Sequence, residues 1–539
     1  MTANYKPLIL LLTALLVANS PVVSAQDDIT PIVSIQYLMQ QDQAVELLGI
    51  SEGDVAGASM HTLGDINDDG YDDFAIGSPG VNNDAGAEHI IYGKQQLSSI
   101  SLTQADRTIL GSSGEQLGSA AANLGDINND SIDDLAFTGT WGQNGGNVYF
   151  VSSDVINNMT STRQVADIAF GSVVAESPGD WMGHDLNRVG DVNGDGLNDV
   201  LITSEGFSQT FNHRGKAYLI YGKDNWTLGA NVNSIANSTF LGSKTNQYFG
   251  VDTADLGDIN HDGYDDFALL SLTGQYRIQI FFGQSLPYGI DLELVANVTI
   301  ALPDHTGHIG KPLSGSYDLN NDNYTDIILG SFSERDYSLQ GGYSYGKTYI
   351  IFGREQWPSA IAEDQVDATL IGSLSQGTGY GAAGLKDING DGYDEVITSE
   401  FTPGQIGETS AHIVLGRATA EWGLNMNMTT ESYLTIYSGT PYNVTSGGFG
   451  NGVADAGDMN GDGIHEMAIN KWTTDNNIGG AYLITDYTLP TGSVYTPDGP
   501  PPTSENSSKS SDSPIENVII FGSIATMTIL ERKIRNSKQ

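Results

Sequence analysis

One nine-residue pattern, repeated seven times, constrains this chain more than any other feature of its sequence. Each copy begins Asp, an apolar residue, Asn, a small or polar residue and Asp, and ends with Asp or Glu at position 9. The copies occupy residues 65–73, 126–134, 191–199, 258–266, 318–326, 387–395 and 458–466. Their even spacing makes residues 46–487 one continuous array of equivalent units. Such an array predicts one repeat architecture and not a series of unrelated domains.

The residues around each copy are typical of short β-strands. A Gly-containing segment such as LGSAA at 117–121 comes before the nonapeptide, and an apolar run such as FAIG at 74–77 follows it. Further apolar runs, such as AYLIYG at 217–222 and TILG at 108–111, supply two more strands. About four short antiparallel strands per unit indicate a β-propeller, which leaves no long open sheet edge. We therefore expect an all-β, seven-bladed β-propeller.

The nonapeptide has the donor chemistry of a calcium loop. Positions 1, 3, 5 and 9 supply side-chain oxygens, the carbonyl of position 7 can add another, and Gly at position 6 usually permits the turn. Oxygen donors in a flexible loop suit Ca²⁺ better than Zn²⁺ or Mg²⁺. The predicted ligands are Asp65, Asn67, Asp69, Tyr71, Asp73, Asp126, Asn128, Asp130, Ile132, Asp134, Asp191, Asn193, Asp195, Leu197, Asp199, Asp258, Asn260, Asp262, Tyr264, Asp266, Asp318, Asn320, Asp322, Tyr324, Asp326, Asp387, Asn389, Asp391, Tyr393, Glu395, Asp458, Asn460, Asp462, Ile464 and Glu466.

Two alternatives to a calcium hairpin are disfavoured. An EF-hand needs a bidentate Glu at position 12, but the first copy has Ile76 there, within an apolar strand. Acidic Asp-Gly clusters also form ordinary turns, but a turn does not require oxygen donors at the same four positions in seven copies. Because the loops are uniform, we predict up to seven Ca²⁺ ions in a structural role.

Composition agrees with this interpretation. The chain has 22 Lys and Arg against 66 Asp and Glu, a formal charge of −44, and no cysteine. Disulfide scaffolds, thiolate zinc sites and cysteine nucleophiles are excluded, and so acidic a chain offers little for nucleic acid to bind. Three carboxylates per loop place 3 × 7 = 21 of the 66 acidic residues in the predicted sites. Calcium, and not disulfides, is the expected source of stability outside the cell.

The two ends of the chain differ from the array in composition. Residues 1–25 have Lys6, an apolar run at 8–18 and small residues at Val23 and Ala25, the pattern of a secretory signal peptide. The remaining predicted segments are the propeller at 26–487, a Pro/Ser-rich disordered spacer at 488–515 and a short hydrophobic segment with a basic end at 516–539.

We expect an exported protein that is extracellular or at the cell surface. The C-terminal tail is its candidate attachment to a membrane or envelope, either as an anchor or as a sorting signal. The apolar stretch of the tail, 518–530, is shorter than the roughly 20 residues that a membrane-spanning helix needs. A solvated or partner-binding tail is the alternative.

The repeats resemble the FG-GAP repeats of integrin α-subunit propellers. Phe249-Gly250 and Phe449-Gly450 match the Phe-Gly element that precedes the calcium loop in that family, and Gly77-Ser78-Pro79 is the nearest match to the Gly-Ala-Pro element that follows it. The resemblance covers 46–487 and implies a propeller whose calcium loops lie opposite a ligand-binding face. Integrins carry the loop in only some blades, whereas here all seven units carry it. The density is more like that of prokaryotic FG-GAP proteins, and integrin signalling is not implied.

The resemblance favours a cell-surface adhesion or ligand-binding module with an extracellular protein or glycan as ligand, and no nucleic acid. The ligand face would be formed by the loops at 78–86, 138–146, 204–215, 331–346, 399–409 and 470–479. Their aromatic residues are Trp141, Phe207, Phe211, Tyr337, Tyr343, Tyr345 and Trp472. Such residues either contact a ligand or pack between blades.

Catalysis on the same scaffold is the rival interpretation, because propellers host enzymes as well. The sequence has no His-Glu-x-x-His motif, no Gly-x-Ser-x-Gly elbow and no phosphate-binding Gly-Lys-Ser/Thr. His184 and His213 share one repeat, and His305 and His308 form the nearest approach to a chelating pair outside the loops. We therefore predict no catalytic residue and no organic cofactor. A secreted hydrolase or lyase and a passive surface-coat protein are the alternatives.

Asn-x-Ser/Thr sequons indicate glycosylation of the exported protein. They begin at Asn158, Asn225, Asn237, Asn297, Asn323, Asn427, Asn443 and Asn506.

Overall fold

A computed structural model describes most of the predicted propeller. The described residues are 31–140, 145–208, 213–272, 277–284, 289–293, 296–302, 313–331, 346–372, 377–401, 409–438, 449–471 and 478–488. The predicted signal peptide at 1–25, the spacer after Thr488 and the tail at 516–539 lie outside them. No helix within these ranges is long and apolar enough to cross a membrane.

The strands form seven five-stranded sheets, the blades. Blade 1 contains β3 (Met60–Gly64), β4 (Asp73–Ser78), β5 (Ala87–Ile91), β7 (Arg107–Leu110) and β11 (Thr162–Gln164). Blade 2 contains β8 (Leu117–Gly125), β9 (Asp134–Gly139), β10 (Asn147–Ser152), β12 (Gly171–Val174) and β16 (Ala230–Asn231). Blade 3 contains β13 (Met182–Arg188), β14 (Val200–Ser204), β15 (Lys216–Ile220), β17 (Ser238–Leu241) and β21 (Gly289–Glu293).

The other four blades repeat this order. Blade 4 contains β18 (Asp252–Gly257), β19 (Asp266–Ser271), β20 (Arg277–Phe281), β22 (Val298–Ala301) and β26 (Ala360–Ala362). Blade 5 contains β23 (Leu313–Tyr317), β24 (Asp326–Ser331), β25 (Lys347–Ile351), β27 (Ala368–Ile371) and β31 (Met426–Asn427). Blade 6 contains β28 (Gly377–Leu385), β29 (Glu395–Phe401), β30 (Ser410–Val414), β32 (Leu434–Tyr437) and β1 (Ile32–Ser34). Blade 7 contains β33 (Phe449–Asp455), β34 (Met467–Lys471), β35 (Gly480–Ile484), β2 (Ala44–Leu48) and β6 (Ile100–Ser101).

Helical structure in the described ranges is confined to short connecting turns. The α-helical turns are α1 (Ile35–Gln40), α2 (Val81–Asp84), α3 (Ser153–Asn158), α4 (Val165–Ile168), α5 (Val232–Ile235) and α6 (Met428–Glu431). Single 3₁₀ turns span Leu102–Gln104, Glu363–Gln365 and Thr419–Glu421. The prediction of an all-β, seven-bladed propeller is confirmed.

Every blade consists of four antiparallel strands and one short parallel strand. The first strands of neighbouring blades contact one another and so surround the axis. The fifth strand lies outermost and comes from a different unit, as when Thr162 of β11 pairs with Thr108 of β7. Because the connections between blades provide these strands, each outer edge is covered by backbone from elsewhere in the chain.

The N-terminal segment closes the ring. β2 is the fourth strand of blade 7 and runs antiparallel to β35, with Ala44 opposite Ile484 and Leu48 opposite Gly480. β1 adds in parallel to β32 of blade 6. The first described strands are therefore held by the last two blades, and we call the interface between blades 7 and 1 the seam.

Seven apolar clusters hold the blades together, one between each pair of neighbours. Second strands such as β19 are buried along their whole length, because each lies between two other blades. Between blades 3 and 4, the rings of Phe267 and Phe281 stack with centroids 5.1 Å apart, and Phe240 packs on Phe281 at 4.7 Å. Replacing one of these rings by Ala would cost about 3–5 kcal/mol.

Candidate metal centres

The seven nonapeptides occupy equivalent places in the fold. Each loop connects the first and second strands of its blade, and position 9 begins the second strand or directly precedes it. All seven loops therefore lie on one face of the ring, which we call the loop face. The connections between second and third strands, where we predicted ligand contacts, lie at the opposite ends of the strands.

The same hydrogen bonds shape every loop. In blade 4, the Asp258 carboxylate accepts the backbone N–H groups of Asp262 at 2.9 Å and Gly263 at 2.8 Å. The Asp262 carboxylate accepts the N–H of Tyr264 at 3.1 Å. Equivalent bonds among positions 1, 5, 6 and 7 occur in the other six loops. The side chains of positions 1 and 5 are thus turned inward over their own backbone.

Positions 4 and 6 of every loop have left-handed backbone. At position 4 these residues are Asp68, Asn129, Gly194, His261, Asn321, Gly390 and Gly461. Gly, Asn and Asp tolerate this conformation best, which explains most of them. His261 is the exception, and its ring stacks on Tyr324 at 4.0 Å. We assigned the turn to position 6 alone, although the Gly, Asn and Asp at position 4 carry the same signal.

The carboxylates at position 9 anchor the loops to the blades. All seven are at most 1% exposed, and each accepts the N–H of position 2 at 2.6–3.3 Å. Burial, with neighbouring carboxylates adding to it, raises their pKa values. The pKa reaches about 7 for Asp73 and Asp134, about 8 for Asp199, Asp266, Asp326 and Glu466, and about 9 for Glu395.

Three oxygen atoms of these loops are buried without a hydrogen-bond partner. The Asn128 and Asn260 amide oxygens at position 3 and the Glu395 Oε2 atom at position 9 are buried and accept no hydrogen bond. Buried oxygens without partners are costly unless something else binds them. In blade 3, the Asn193 amide N–H donates a hydrogen bond to Asp199 Oδ2 at 3.2 Å, so the side chains of positions 3 and 9 are in contact.

The structure brings the predicted donors of each loop into one turn, and the all-oxygen set suits Ca²⁺. Within the described ranges, however, no three Asp, Glu or His side chains are already close enough to hold a metal ion. Metal coordination by the 35 residues named from the sequence therefore stays a prediction.

Position 8 links each of several loops to the preceding blade. The Asp265 carboxylate of blade 4 accepts the N–H of Asp191 at 2.8 Å, and Asp394 accepts the N–H of Asp318 at 2.9 Å. At the seam, Asp72 accepts the N–H of Asp458 at 2.8 Å, 386 residues away. These contacts were not predicted, because in sequence position 8 looks like one more acidic turn residue.

The opposite face is described only in part. Phe207 is 5% exposed, and the ammonium of Lys216 lies 5.0 Å from its ring centroid, so this side chain is packed and not presented to a ligand. The other aromatic residues predicted on this face, Trp141, Phe211, Tyr337, Tyr343, Tyr345 and Trp472, lie outside the described residues. His305 and His308 do so as well.

Blade 3 carries a buried acid–imidazole pair on this side. His184 Nε2 lies 3.3 Å from Glu205 Oε1, and both side chains are below 10% exposed. The ring of His213 stacks between Trp181 at 5.1 Å and Tyr248 at 5.2 Å. His184 and His213 were noted in the sequence, but their partners Glu205 and Tyr248 were not.

Comparisons with known proteins agree with the geometry. The model of the FG-GAP repeat family matches residues 56–90. Mouse integrin alpha-IIb is 30% identical over 168 residues, which is 29% of this chain and 15% of that protein. Integrin alpha pat-2 of Caenorhabditis briggsae is 28% identical over 311 residues, 54% of this chain and 22% of that protein. Integrin alpha-5 of Xenopus laevis is 24% identical over 213 residues, 39% of this chain and 19% of that protein.

The matched region covers less than a quarter of each of these relatives. The repeat, the seven blades and the matches nevertheless point to the same family. The chain is a seven-bladed β-propeller whose repeats are similar to the FG-GAP repeats of integrin α-subunits.

Proposed function

We propose that the protein is an exported, calcium-stabilised propeller that acts as a cell-surface adhesion or ligand-binding module. The observation that carries this proposal is the sevenfold repetition of one loop geometry on a fold shared with integrin α-subunits. The loop face holds the metals and the opposite face receives an extracellular protein or glycan.

Calcium has a structural role in this proposal. Each loop places three carboxylates within one tight turn, and position 9 is anchored in the wall of the blade. A divalent cation offsets the repulsion among these groups and fixes the turn at the end of the first hairpin. Seven ions would add 7 × 2 = 14 positive charges and change the formal charge of −44 to about −30.

Two measurements on the full chain test this proposal. Thermal unfolding is compared in calcium and in chelator at low ionic strength, and arrays of matrix proteins and glycans are probed under both conditions. We expect calcium to raise the unfolding temperature and to be required for ligand capture. An unfolding temperature that chelator leaves unchanged would refute the structural role, and arrays without any ligand would favour a passive surface-coat protein.

The His184–Glu205 pair is an observation that favours a secreted hydrolase or lyase instead, although blade 6 holds a similar buried pair, His412 and Glu400 at 3.5 Å. A carboxyl group beside an imidazole in a buried setting can transfer protons. We propose that the pair is structural and that the protein is not an enzyme. Turnover of glycosides, esters or phosphodiesters that disappears in the Glu205→Gln variant would reverse this assignment.

A further inference from the structure

A cavity of about 720 Å³ opens on the loop face at the seam. Its walls come from the blade 7 loop, from the segment that follows β5 in blade 1 and from the turn before β2. The lining residues used below are Tyr71, Gln96, Leu97, Ser99, Asn460 and Asp462. Its size falls within the range of small-molecule sites, about 300–1,000 Å³.

At the seam, a smaller side chain stands where blades 3 and 5 have an indole. In blades 3 and 5, the residue four positions after the Gly that follows the third strand is Trp226 or Trp357. Each indole N–H donates to the position 2 carbonyl of the preceding loop, Trp226 to Ile127 at 3.0 Å and Trp357 to Ile259 at 3.4 Å. Asn157 makes the same bond to Ile66 in blade 2.

Blade 1 has Leu97 at this position. Leucine is shorter than tryptophan and has no side-chain N–H to donate to the preceding loop, and Leu97 packs against the apolar cluster between blades 7 and 1. The carbonyl of Met459 accepts the backbone N–H of Lys94 at 2.7 Å, as the carbonyl of Ile127 accepts that of Lys223 at 2.8 Å in blade 3, where the Trp226 bond is an addition. Space that an indole covers in blades 3 and 5 is therefore left open at the seam, and Leu97 lines it.

The lining favours a neutral, hydroxyl-rich ligand. The described lining residues include two carboxylates, three amides and four hydroxyl-bearing side chains, one of them Tyr71, and no Lys or Arg. The Tyr71 ring adds to the apolar surface of Met39, Ala44, Val45 and Leu97. The absence of a cation among the lining residues disfavours phosphate, sulfate and acidic sugars. Adjacent hydroxyls of a sugar can donate to Asp and Asn side chains while its C–H face packs on an aromatic ring.

We propose that the seam cavity is a binding site for a neutral mono- or disaccharide. Asp462 and Asn460 are positions 5 and 3 of the blade 7 loop, so the sugar lies against a predicted calcium loop. The Ser99 hydroxyl accepts the N–H of Glu46 at 2.9 Å, so it can donate its own proton to the ligand. The site is separate from the ligand face of the proposed function and lies on the other side of the ring.

Saturation-transfer NMR on the full chain tests the site. The probes are methyl α-mannoside, lactose and cellobiose at up to about 10 mM, with glucose 6-phosphate and a trilysine peptide as charged comparators. Leu97→Trp installs the residue found in blades 3 and 5, and Gln96→Ala removes an exposed amide from the wall. Leu228→Trp, at a side chain 61% exposed outside the cavity, is the matched control.

We expect at least one neutral sugar to bind the wild type and the Leu228→Trp variant equally. Leu97→Trp should weaken that sugar at least tenfold and Gln96→Ala severalfold, with the calcium-dependent unfolding temperature unchanged. Equal binding by Leu97→Trp, no binding of any neutral sugar, or binding of the peptide in their place would overturn the proposal. A missing calcium effect on unfolding would refute the structural role of calcium separately, without bearing on sugar binding.

Discussion

Two neighbouring aspartates in the blade 1 loop separate metal binding from ordinary turn formation. Asp69 at position 5 is a predicted ligand, whereas Asp68 at position 4 is not. Both side chains are exposed and each substitution removes one negative charge. Asp68 has left-handed backbone, with φ of 58°, and Gly stands at its position in blades 3, 6 and 7. Asp68→Gly is therefore a matched control for Asp69→Ala.

The expected effects follow from the contacts of Asp69. Its carboxylate accepts the N–H of Tyr71 at 3.1 Å, an exposed bond worth about 0.5–1 kcal/mol. In chelator, Asp69→Ala should lower the free energy of unfolding by about that amount. A bound ion at a hundred times its dissociation constant adds about 2.7 kcal/mol, which the variant would also lose. In calcium the loss should thus reach about 3–4 kcal/mol, whereas Asp68→Gly should change stability by less than about 0.5 kcal/mol in either condition.

Urea unfolding followed by tryptophan fluorescence, in calcium and in chelator, measures both variants. Calcium titration should also show one site fewer in Asp69→Ala and no change in Asp68→Gly. If the two variants lose equal stability, or if the loss from Asp69→Ala is the same in chelator as in calcium, the blade 1 loop is a turn and not a metal site.

Three other predictions concern the blades themselves. Burial raises the pKa of Glu88 to about 8. The free energy of unfolding of the wild type should therefore fall as the pH rises from about 5 towards 8, by roughly 1 kcal/mol per pH unit relative to Glu88→Gln. Parallel pH profiles of the two proteins in urea unfolding would contradict this. Lys216→Met should lower the free energy of unfolding by about 3 kcal/mol, because the 1% exposed side chain places its ammonium 2.6 Å from Glu176. Lys386→Met should lower it by under about 1 kcal/mol, because that side chain is 42% exposed. Equal shifts in thermal midpoint would refute this difference. Asp265→Ala should lower the free energy of chemical unfolding by about 1.5–3 kcal/mol, because the N–H of Asp191 loses its acceptor. A loss below about 0.5 kcal/mol would show that position 8 does not hold the loops together.

The blades were predictable from sequence and the ring closure was not, for a physical reason. A repeated unit carries its own signal seven times, in the donor positions of the loop and in the apolar runs beside it. The strand Ala44–Leu48 reads like any other short apolar run, and its partner β35 lies more than 430 residues away. The pairing of such distant segments depends on where the seventh blade places its open edge. The local sequence pattern therefore does not predict this pairing.

In the loops, too, the local sequence predicted the features within one repeat but not the contacts between repeats. Donor positions 1, 3, 5 and 9 are fixed by chemistry within nine residues, so they could be assigned from the sequence. The contacts made by Asp72, Asp265 and Asp394 join different blades and depend on the spacing of neighbouring loops around the ring. The orphaned oxygens of Asn128 and Asn260 likewise arise from burial, which composition does not specify.

The seam is held at two places and differs from the interfaces at blades 3 and 5 in the side chain that contacts the preceding loop. On the loop face, Asp72 and Asp458 exchange two hydrogen bonds, N–H to carboxylate at 2.8 Å and N–H to carbonyl at 3.0 Å, as Asp394 and Asp318 do between blades 5 and 6. Within the blade 7 sheet, β2 supplies the fourth strand. With the ring held at both places, the indole that covers the preceding loop in blades 3 and 5 is dispensable at the seam. Leu97 can then leave a cavity open there without loosening the interface, which is why a ligand site is compatible with closure at this position.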